Sequence, residues 1–555
     1  MKKIFLILSF AGMVSAAFAQ TPSDAFRFSE NFYEGTARTV AMGNAFTALG
    51  GDMGSISINP AGSAVAKYSQ ISITPGVTVS SSTSIGNPVP NTGLNYFEDK
   101  MRSSYTTFNM PNAGVTINFN TGTKNGLKNF TIGFLVNKVA DYNQDVFARG
   151  TNDRTSFLGS MAAWATYDGI SSSQLFPINE NVWNSQNWKY IIGYKTTMID
   201  NLGDGYIGAT ERDIDNGDGT YDVNLAGKIN QNYGRRTSGD KYEYIINAGF
   251  NISDIVFLGF NLTATTVSYS YTDYFRESAV NPEDFMYTQI VDGVEKSYMF
   301  DQMKYQTDYR VTGSGVSGKF GVIVTPGLGL RFGAAIQTPT WLAIKERWSE
   351  YGEIDVLGTG AYNSSQESPE GNNTYSLISP FRANFGVAWT FGKFGVISAD
   401  YELCNYGQMK YSSKFLEDNN LLSDINTSIR ETYGISQLFR LGLEVKPLSS
   451  FAIRAGYMYN SPAHKDEIEM SKGSPKNLTR LSRHALSFGI GYMSNKSFFM
   501  DIAAQRTFEP VEYYMPYADY IFESNGTDVQ EGYYAPEIAM DKHQWKVMLT
   551  LGWRF

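Results

Sequence analysis

The amino-acid sequence predicts an all-β fold, namely a transmembrane antiparallel β-barrel of about 14 strands with a short segment ahead of the first strand. Three observations predict it. The composition is rich in Tyr, Phe and Gly and poor in charge. Apolar residues recur with period two through most of the chain. The connections between these periodic runs alternate between short turns and long polar loops.

Composition limits the class of protein. The chain has 555 residues, of which 42% are hydrophobic, 14% aromatic and 18% charged, whereas soluble domains usually carry about 25% charged residues. The mean hydropathy of −0.27 is too low for a bundle of transmembrane helices. The net charge of −9 argues against a nucleic-acid partner, because a polyanion would be repelled.

The first residues predict export from the cytoplasm. Lys2 and Lys3 precede an apolar stretch that closes on Ala17-Phe18-Ala19, an A-x-A processing site. The stretch is shorter than the roughly 20 residues that a transmembrane helix needs. We therefore assign residues 1–19 to a signal peptide. With the barrel pattern that follows, this predicts the outer membrane of a Gram-negative bacterium.

The order of the connections predicts how the barrel is oriented. Fourteen period-two runs lie between Ser69 and Phe555, within a barrel region assigned to residues 67–555. The largest long loop is the insertion Tyr142–Asp240. Outer-membrane barrels have tight periplasmic turns and long outer loops, so we expect every long loop outside. The short turns are Asn120–Leu127, Ile252–Asp254, Pro326–Gly327, Gly392–Lys393, Pro447–Ser450 and Ser494–Ser497.

The last run shows the two faces of such a wall. Apolar residues from Trp545 to Phe555 share one parity, and Lys546, Thr550 and Arg554 share the other. One parity is expected to face lipid and the other the lumen, since closure satisfies every backbone hydrogen bond. The terminal aromatic Phe555 resembles the signature by which bacterial barrels reach their insertion machinery, which would then be a partner during biogenesis.

Residues 20–66 are too long for a tail and too few for a domain with its own core. Phe26, Phe28 and Phe46 would be costly to leave in water. Thr36–Ala48 is rich in small residues and predicts a short helix. We expect this segment to pack inside the barrel as a hatch or plug. The alternative is a periplasmic linker.

The stretch GTARTVAMGNAFTALGGDMGSISINPAG, residues 35–62, resembles the hatch of the FadL/TodX outer-membrane transporters of long-chain fatty acids and hydrocarbons. Asn59-Pro60-Ala61 is its most specific part. The resemblance implies a barrel of about 14 strands plugged by the hatch, with Asn59, Pro60, Ala61 and Gly62 as plug and gate positions. Similar later pieces are Thr338–Trp341, Pro380–Arg382, Gly392–Gly395 and Ser398–Glu402. The insertion 142–240 departs from the family pattern.

The function that this resemblance implies is passive transport of hydrophobic solutes such as long-chain fatty acids. A luminal hydrophobic pocket would bind the solute, because each buried CH₂ contributes about 0.8 kcal/mol, and the plug would gate it. The resemblance also implies sideways release through a break in the wall. Asn137 and Lys138 interrupt an apolar run and are our candidates for that opening. Outer-membrane lipid and lipopolysaccharide are expected partners, and no substrate-binding residue is identified.

No cofactor, metal or catalytic site is expected. His464, His484 and His543 form no paired metal spacing, and the lone Cys404 is interpreted as packing. His484 and Ser487 are three apart in a strand, so they should point to opposite faces. Two other classes stay open: a barrel that hydrolyses lipids, and an adhesin or structural protein that acts through its long loops.

Overall fold

The computed structural model describes residues 21–88, 95–176, 181–184, 186–215, 221–413, 421–465, 481–494, 497–520 and 534–555. The predicted signal peptide, residues 1–19, lies outside the described residues. The α-helices are α1 Pro22–Ser29, α2 Ala37–Ala41, α3 Ser55–Ile58, α4 Gly62–Val65, α5 Phe157–Tyr167, α6 Ser172–Leu175, α7 Trp188–Lys195 and α8 Leu421–Thr432. Short 3₁₀ helices are Val182–Asn184, Pro282–Phe285 and Tyr406–Gln408.

The strands are β1 Gln70–Asn87, β2 Met101–Asn120, β3 Leu127–Asp141, β4 Gln144–Asn152, β5 Ile199–Leu202, β6 Gly205–Gly208, β7 Glu211–Asp215, β8 Tyr221–Leu225, β9 Ile229–Ile252, β10 Val256–Ala279, β11 Met286–Val291, β12 Val294–Gly327, β13 Leu330–Gln337, β14 Trp341–Leu357, β15 Tyr362–Glu367, β16 Gly371–Ile378, β17 Arg382–Phe391, β18 Gly395–Asn405, β19 Lys410–Ser412, β20 Ile435–Leu448, β21 Phe451–Asn460, β22 Arg483–Ser494, β23 Phe498–Phe508, β24 Glu512–Tyr514 and β25 Glu537–Arg554.

These strands form a closed antiparallel barrel. Within the described residues the wall has 14 strand positions, three of them built from two successive strands: β3 with β4, β13 with β14, and β16 with β17. Each position pairs with the next along the chain, and β25 returns to pair with β1 from Gln70↔Arg554 to Asn87↔Glu537. The predicted fold class is confirmed.

The two faces of the wall differ as the period-two pattern predicts. On β25, Trp545, Val547 and Trp553 are about half exposed, while Met548 and Thr550 are buried. Phe488 and Ile490 repeat the exposed parity on β22, and Ser487 is buried. An apolar outer face on a closed wall is the condition for crossing lipid by strands. The protein is a transmembrane β-barrel of the outer-membrane type.

The predicted turns lie at one end of the barrel. The connections 121–126, 253–255, 328–329, 392–394 and 449–450 join successive wall strands there. The sixth, between β22 and β23, includes residues 495–496, which lie outside the described residues. We call this the short-turn end, and the opposite one the long-loop end.

In the part of the chain that the structure describes, no helix combines the length and apolar composition needed to cross a bilayer.

The insertion 142–240 differs from the polar loop that the sequence predicts. Strand β4 occupies its start, and β9 begins at Ile229, well before its predicted end. Residues 153–228, here called the cap, contain α5 to α7 and two small hairpins. Leu158, Ile191 and Ile192 are fully buried. The cap buries its apolar side chains partly against the extended ends of β12 and β14, at Phe300 and Ile354. Because these partners lie far away in the sequence, the local sequence of the insertion, which is rich in polar residues, did not indicate a core.

The amino-terminal segment, residues 21–66, follows its local sequence signals. Thr21 caps α1, which has Pro22 at its start. Thr36 and Thr39 form a capping box at the start of α2. The predicted helix over Thr36–Ala48 is realised only as α2, because Gly43 and Asn44 have positive φ angles and turn the chain. Most of the segment is buried.

Candidate functional site

The sequence Asn59–Gly62 lies against the inner surface of the wall. The Asn59 amide nitrogen is 2.6 Å from the Thr47 carbonyl and 3.2 Å from the Val322 carbonyl of β12. Its Oδ1 accepts from the Ala61 backbone N–H. Asn59 therefore ties a turn of the amino-terminal segment to the barrel through its amide nitrogen, while its side-chain oxygen closes that turn.

The rest of the motif is held in the same place. The Pro60 carbonyl accepts a hydrogen bond from Asn247 of β9 at 3.1 Å. Ala61 packs against Phe257 and Ile323, and the Gly62 carbonyl accepts from the Gly51 N–H at 2.8 Å. A Cβ atom on Gly62 would lie 2.6 Å from the Ser55 hydroxyl. The motif is thus a packed contact between segment and wall, with little spare space.

Glycines on the wall make this close approach possible. Gly249, Gly259 and Gly321 are directly paired neighbours on β9, β10 and β12. A Cβ on Gly259 would lie 2.2 Å from the Ala61 nitrogen, and one on Gly321 would lie 1.9 Å from Asn59 Oδ1. Similar contacts continue around the barrel. We call the whole set the glycine belt: Gly249, Gly259, Gly321, Gly333, Gly386, Gly442, Gly456 and Gly489.

Charged side chains of the wall also bind the segment. Asp400 accepts from both the backbone N–H and the hydroxyl of Thr47, each at 2.7 Å. Arg38 forms an ion pair with Glu444 of β20 at 2.8 Å, and Glu34 accepts from Lys546 of β25. Because Asp400, Glu444 and Lys546 belong to different strands, the segment is attached around the lumen. Sequence reasoning missed these partners, which are hundreds of residues away.

The wall is split beside the residues predicted to open it. Strand β2 pairs with β3 only from Asn112↔Asn137 to Asn120↔Asn129. Among the described residues, positions 101–109 of β2 pair with β1 alone. Strand β4 pairs with β9, and its Asp145 carbonyl accepts from Ser103 at 2.7 Å. In the long-loop half, therefore, the pairing between β2 and its neighbour is lost.

Asn137 and Lys138 lie where the split begins. Both are fully buried although they are adjacent, which a regular strand does not allow. A register shift follows directly, between Lys138 and Ala140, and such a bulge disrupts the regular alternation of side chains. Lys138 forms ion pairs with Asp141 and Asp240.

The amino-terminal segment replaces the missing strand partner at this point. The Phe32 N–H donates to the Val139 carbonyl at 2.7 Å, and the Glu34 N–H donates to the Lys138 carbonyl at 3.0 Å. Asn137 accepts from the Gly35 N–H at 3.0 Å, and it donates to Ser57 at 3.2 Å. The structure thus joins the segment to the bulge through both backbone and side chain.

A cavity of about 600 Å³ adjoins the first part of the segment and this bulge. Its apolar lining includes Phe26, Phe32, Tyr269 and Leu438. The Phe26 ring stacks on Tyr433 at 4.9 Å. The lining is mixed, in contrast to the predicted hydrophobic pocket, because ion pairs that hold the segment also face the cavity. The charged lining residues include Arg27, Glu30, Glu34, Arg440, Arg483, Glu509, Lys542 and Lys546.

Glu30 shows how these charges are balanced. It lies 3.8 Å from Arg483, which also pairs with Glu509. Burial raises the pKa of Glu30, and the Arg483 guanidinium opposes that rise. The cavity offers aromatic and aliphatic surface beside paired charges, which suits an amphiphile better than a pure hydrocarbon.

The described residues contain no group of three or more His, Cys, Asp or Glu side chains placed to hold a metal ion. Cys404 is buried among apolar residues. Ser487 faces inward and accepts from Gln505, away from His484. His484 instead lies 2.8 Å from the hydroxyl of Ser482, which sequence reasoning did not consider.

Comparison with solved structures finds several proteins of low sequence identity that align over almost the whole chain. A Pseudomonas aeruginosa FadL homologue has 11% identity and a TM-score of 0.48, over 94% of this chain and 98% of that one. The Ralstonia pickettii toluene transporter TbuX has 12% identity and a TM-score of 0.41, over 94% and 98%. The P. putida toluene transporter TodX has 12% identity and a TM-score of 0.44, over 95% of this chain and 99% of that one. No protein-family profile and no curated protein sequence matches the chain.

Proposed function

We propose that this protein is a passive outer-membrane channel for hydrophobic and amphiphilic solutes, with long-chain fatty acids as the first class to test. The observation that carries the proposal is the split between β2 and β3 at Asn137, directly beside the cavity and the amino-terminal segment. A solute could leave the cavity there into lipid without crossing water.

The amino-terminal segment acts in this proposal as a plug, with Asn59, Pro60, Ala61 and Gly62 as its fixed positions. Support comes from the glycine belt and from Asp400, Glu444 and Lys546, which attach the segment around the lumen. A gate must then work by movement of part of the segment. Residues 32–35 are the best part for this role, since their hydrogen bonds go to the bulge at Asn137–Val139.

The test measures uptake of a long-chain fatty acid by cells that carry the protein. Asn137→Val together with Lys138→Val should raise uptake about tenfold, because it removes the two hydrogen bonds by which the Asn137 side chain holds the segment against the bulge, each worth about 1 kcal/mol. The control is Ile132→Val with Phe134→Leu, two exposed positions on the same strand. Unchanged uptake in the Asn137/Lys138 variant would exclude this opening.

One observation favours a second function, lipid hydrolysis. The Ser482 hydroxyl is 2.8 Å from His484 Nε2, and the Tyr457 hydroxyl is 2.8 Å from His484 Nδ1. A nucleophile, a base and a group that orients the base are thereby within hydrogen-bond reach. Purified protein would be assayed with a phospholipid in micelles. Activity lost in Ser482→Ala and kept in Ser487→Ala would support the enzyme, and an inactive wild type would reject it.

A further inference from the structure

The outer face of the barrel has a groove at the long-loop end that the transport proposal does not use. It is a cavity of about 720 Å³ on β25, β1 and β2, lined by Lys100, Arg102, His543, Asp541, Ser81 and Ser104 among others. Ser81 and Ser104 belong to the exposed parity of their strands. The groove therefore opens to the surroundings of the barrel and not to the lumen.

Strand register fixes the height of this groove on the wall. Val77 pairs with Phe108 and Val547, and Val79 pairs with Trp545. These side chains form an apolar outer band, in which Phe108 is 75% exposed. Exposed aromatic side chains of this kind mark the border of the apolar band on membrane barrels.

The next outward rows are polar. Ser81 pairs with Ser104 and His543, and Thr83 pairs with Arg102 and Asp541. One step along the strands thus changes the outer face from tryptophan and valine to hydroxyl, imidazole and guanidinium groups. This is the level at which lipid headgroups meet the wall, on the side of the long loops.

The charges of the groove select an anion. Lys100 and Arg102 are exposed, and neither has an ion-pair partner among the described residues. Among the described residues that line the groove, the one carboxylate is that of Asp541, which lies 3.3 Å from His543. Guanidinium and ammonium groups beside hydroxyl donors match the oxygen atoms of a phosphate, which accepts several charge-assisted hydrogen bonds at once. The protein as a whole has a net charge of −9, so this local excess of positive charge is not a general property of the chain.

We propose that this groove binds the phosphate headgroup of lipopolysaccharide, with the acyl chains of that lipid lying on Val77, Val79, Phe108 and Trp545. The occupant is a lipid because the apolar band continues directly from the polar rows. It is a phosphorylated one because the cations of the groove are exposed at headgroup height. The inference depends on the transmembrane barrel and its orientation, and it does not depend on what the channel transports.

The test uses the full chain purified in detergent and native mass spectrometry with added diphosphorylated lipid A. The wild type should retain the lipid. Lys100→Gln with Arg102→Gln should bind it at least about tenfold more weakly, since two charge-assisted contacts are lost. Arg102→Lys should recover part of the binding by keeping the charge. Comparison of electrophoretic migration with and without heating verifies that each variant is a folded barrel.

The matched control is Arg310→Gln with Lys345→Gln, two exposed basic residues elsewhere on the wall. Lys345 lies four residues from the outward Trp341, as Asp541 lies four residues from Trp545, so the height is similar. Retained binding in this control supports a specific groove. Equal loss in both variants would show a general surface charge effect and would overturn the site.

Two further experiments, one comparing lipids and one using inorganic phosphate as a competitor, establish the source of the phosphate. Dephosphorylated lipid A should bind at least about tenfold more weakly than the diphosphorylated form, and equal binding would overturn the role of the phosphate. Inorganic phosphate at millimolar concentration should not displace the lipid. Full displacement would identify a site for free phosphate and overturn the assignment to a lipid.

Discussion

The amino-terminal segment and the cap both fill space at the lumen of the barrel, and they are held there by different forces. The segment forms several small apolar clusters with the wall and is also attached to it by hydrogen bonds and ion pairs, as with Thr47 on Asp400 and Arg38 on Glu444. The cap shares a large cluster of buried aromatic and aliphatic side chains, including Phe157 and Ile191. Directional bonds fix one position of a segment, whereas an apolar core tolerates changes of packing. The comparison therefore predicts different weaknesses in the two regions.

The largest effect is expected from the buried charges beneath the segment. Glu402 pairs with both Arg382 and Arg440, and Arg382 also donates to the Ser29 carbonyl at 2.7 Å. Glu402→Gln leaves two buried guanidinium groups without their carboxylate, so the free energy of unfolding should fall by about 3–5 kcal/mol. Chemical unfolding in detergent measures it. The exposed Glu367→Gln is the control, and an equal effect there would refute this reasoning.

The second prediction concerns the core of the cap. Ile191 is fully buried, and Ile191→Ala should destabilise the cap by about 2–5 kcal/mol through loss of apolar contact and creation of a cavity. Protease cleavage within residues 153–228 should increase, while cleavage within residues 21–66 should not. Tyr167→Ala, at a position 80% exposed, serves as the control. Cleavage of both regions in Ile191→Ala would show that cap and segment are one unit.

The third prediction tests the glycine belt. Valine at Gly321 would force its side chain into Asn59, which should cost about 1–3 kcal/mol and displace the motif from the wall. Ion conductance in planar bilayers should then rise above that of the wild type. The control is Gly318→Val on the same strand, where a Cβ would have no neighbour closer than 3.8 Å. A closed channel in Gly321→Val would contradict a plug fixed by this contact.

The smallest effect is expected from a pH-dependent contact in the cap. Burial raises the pKa of Glu211 to about 7, although a hydrogen bond from the Gly208 N–H opposes the rise. The folded cap therefore holds a proton that the unfolded chain loses near its ordinary pKa. Stability should be greatest at low pH and should fall by up to about 2 kcal/mol as pH rises through 7.

Thermal unfolding of the cap, followed by tryptophan fluorescence, measures this dependence. In Glu211→Gln the side chain does not titrate, so the melting temperature should change less between pH 5 and pH 8. A wild-type cap that becomes more stable over this range would contradict the sign of the prediction.

Much of the barrel could be predicted from the sequence because its signal is local. Apolar and polar residues must alternate along a lipid-facing strand, and a tight turn needs Gly, Asn or Pro. Runs such as Trp545–Phe555 can therefore be recognised from the sequence alone. The cap could not be predicted in this way. Its helix α7 buries Ile191 and Ile192 together with Trp188, so it has apolar residues on several sides and no clear period.

The candidate site was only partly predictable. Asn59–Gly62 was found because its motif is local, and the structure shows it in contact with the wall. The partners of the segment were not found, since Arg38 and Glu444 are 406 residues apart. The sequence carried only a weak signal for the glycine belt. Gly249 and Gly259 occupy inward positions of their strands, and a glycine inside a strand can mark the close approach of another backbone. Only the register reveals that they are neighbours.

The seam between β1 and β25 joins strands from opposite ends of the sequence, and Ser69 exchanges two backbone hydrogen bonds with Phe555, each of 3.0 Å. Residues 21–66 are connected directly to the first of these strands. The segment reaches its partners Asp400, Glu444 and Lys546 on β18, β20 and β25 only when all three strands have joined the wall. Docking of the segment and closure of the ring are therefore linked steps of assembly.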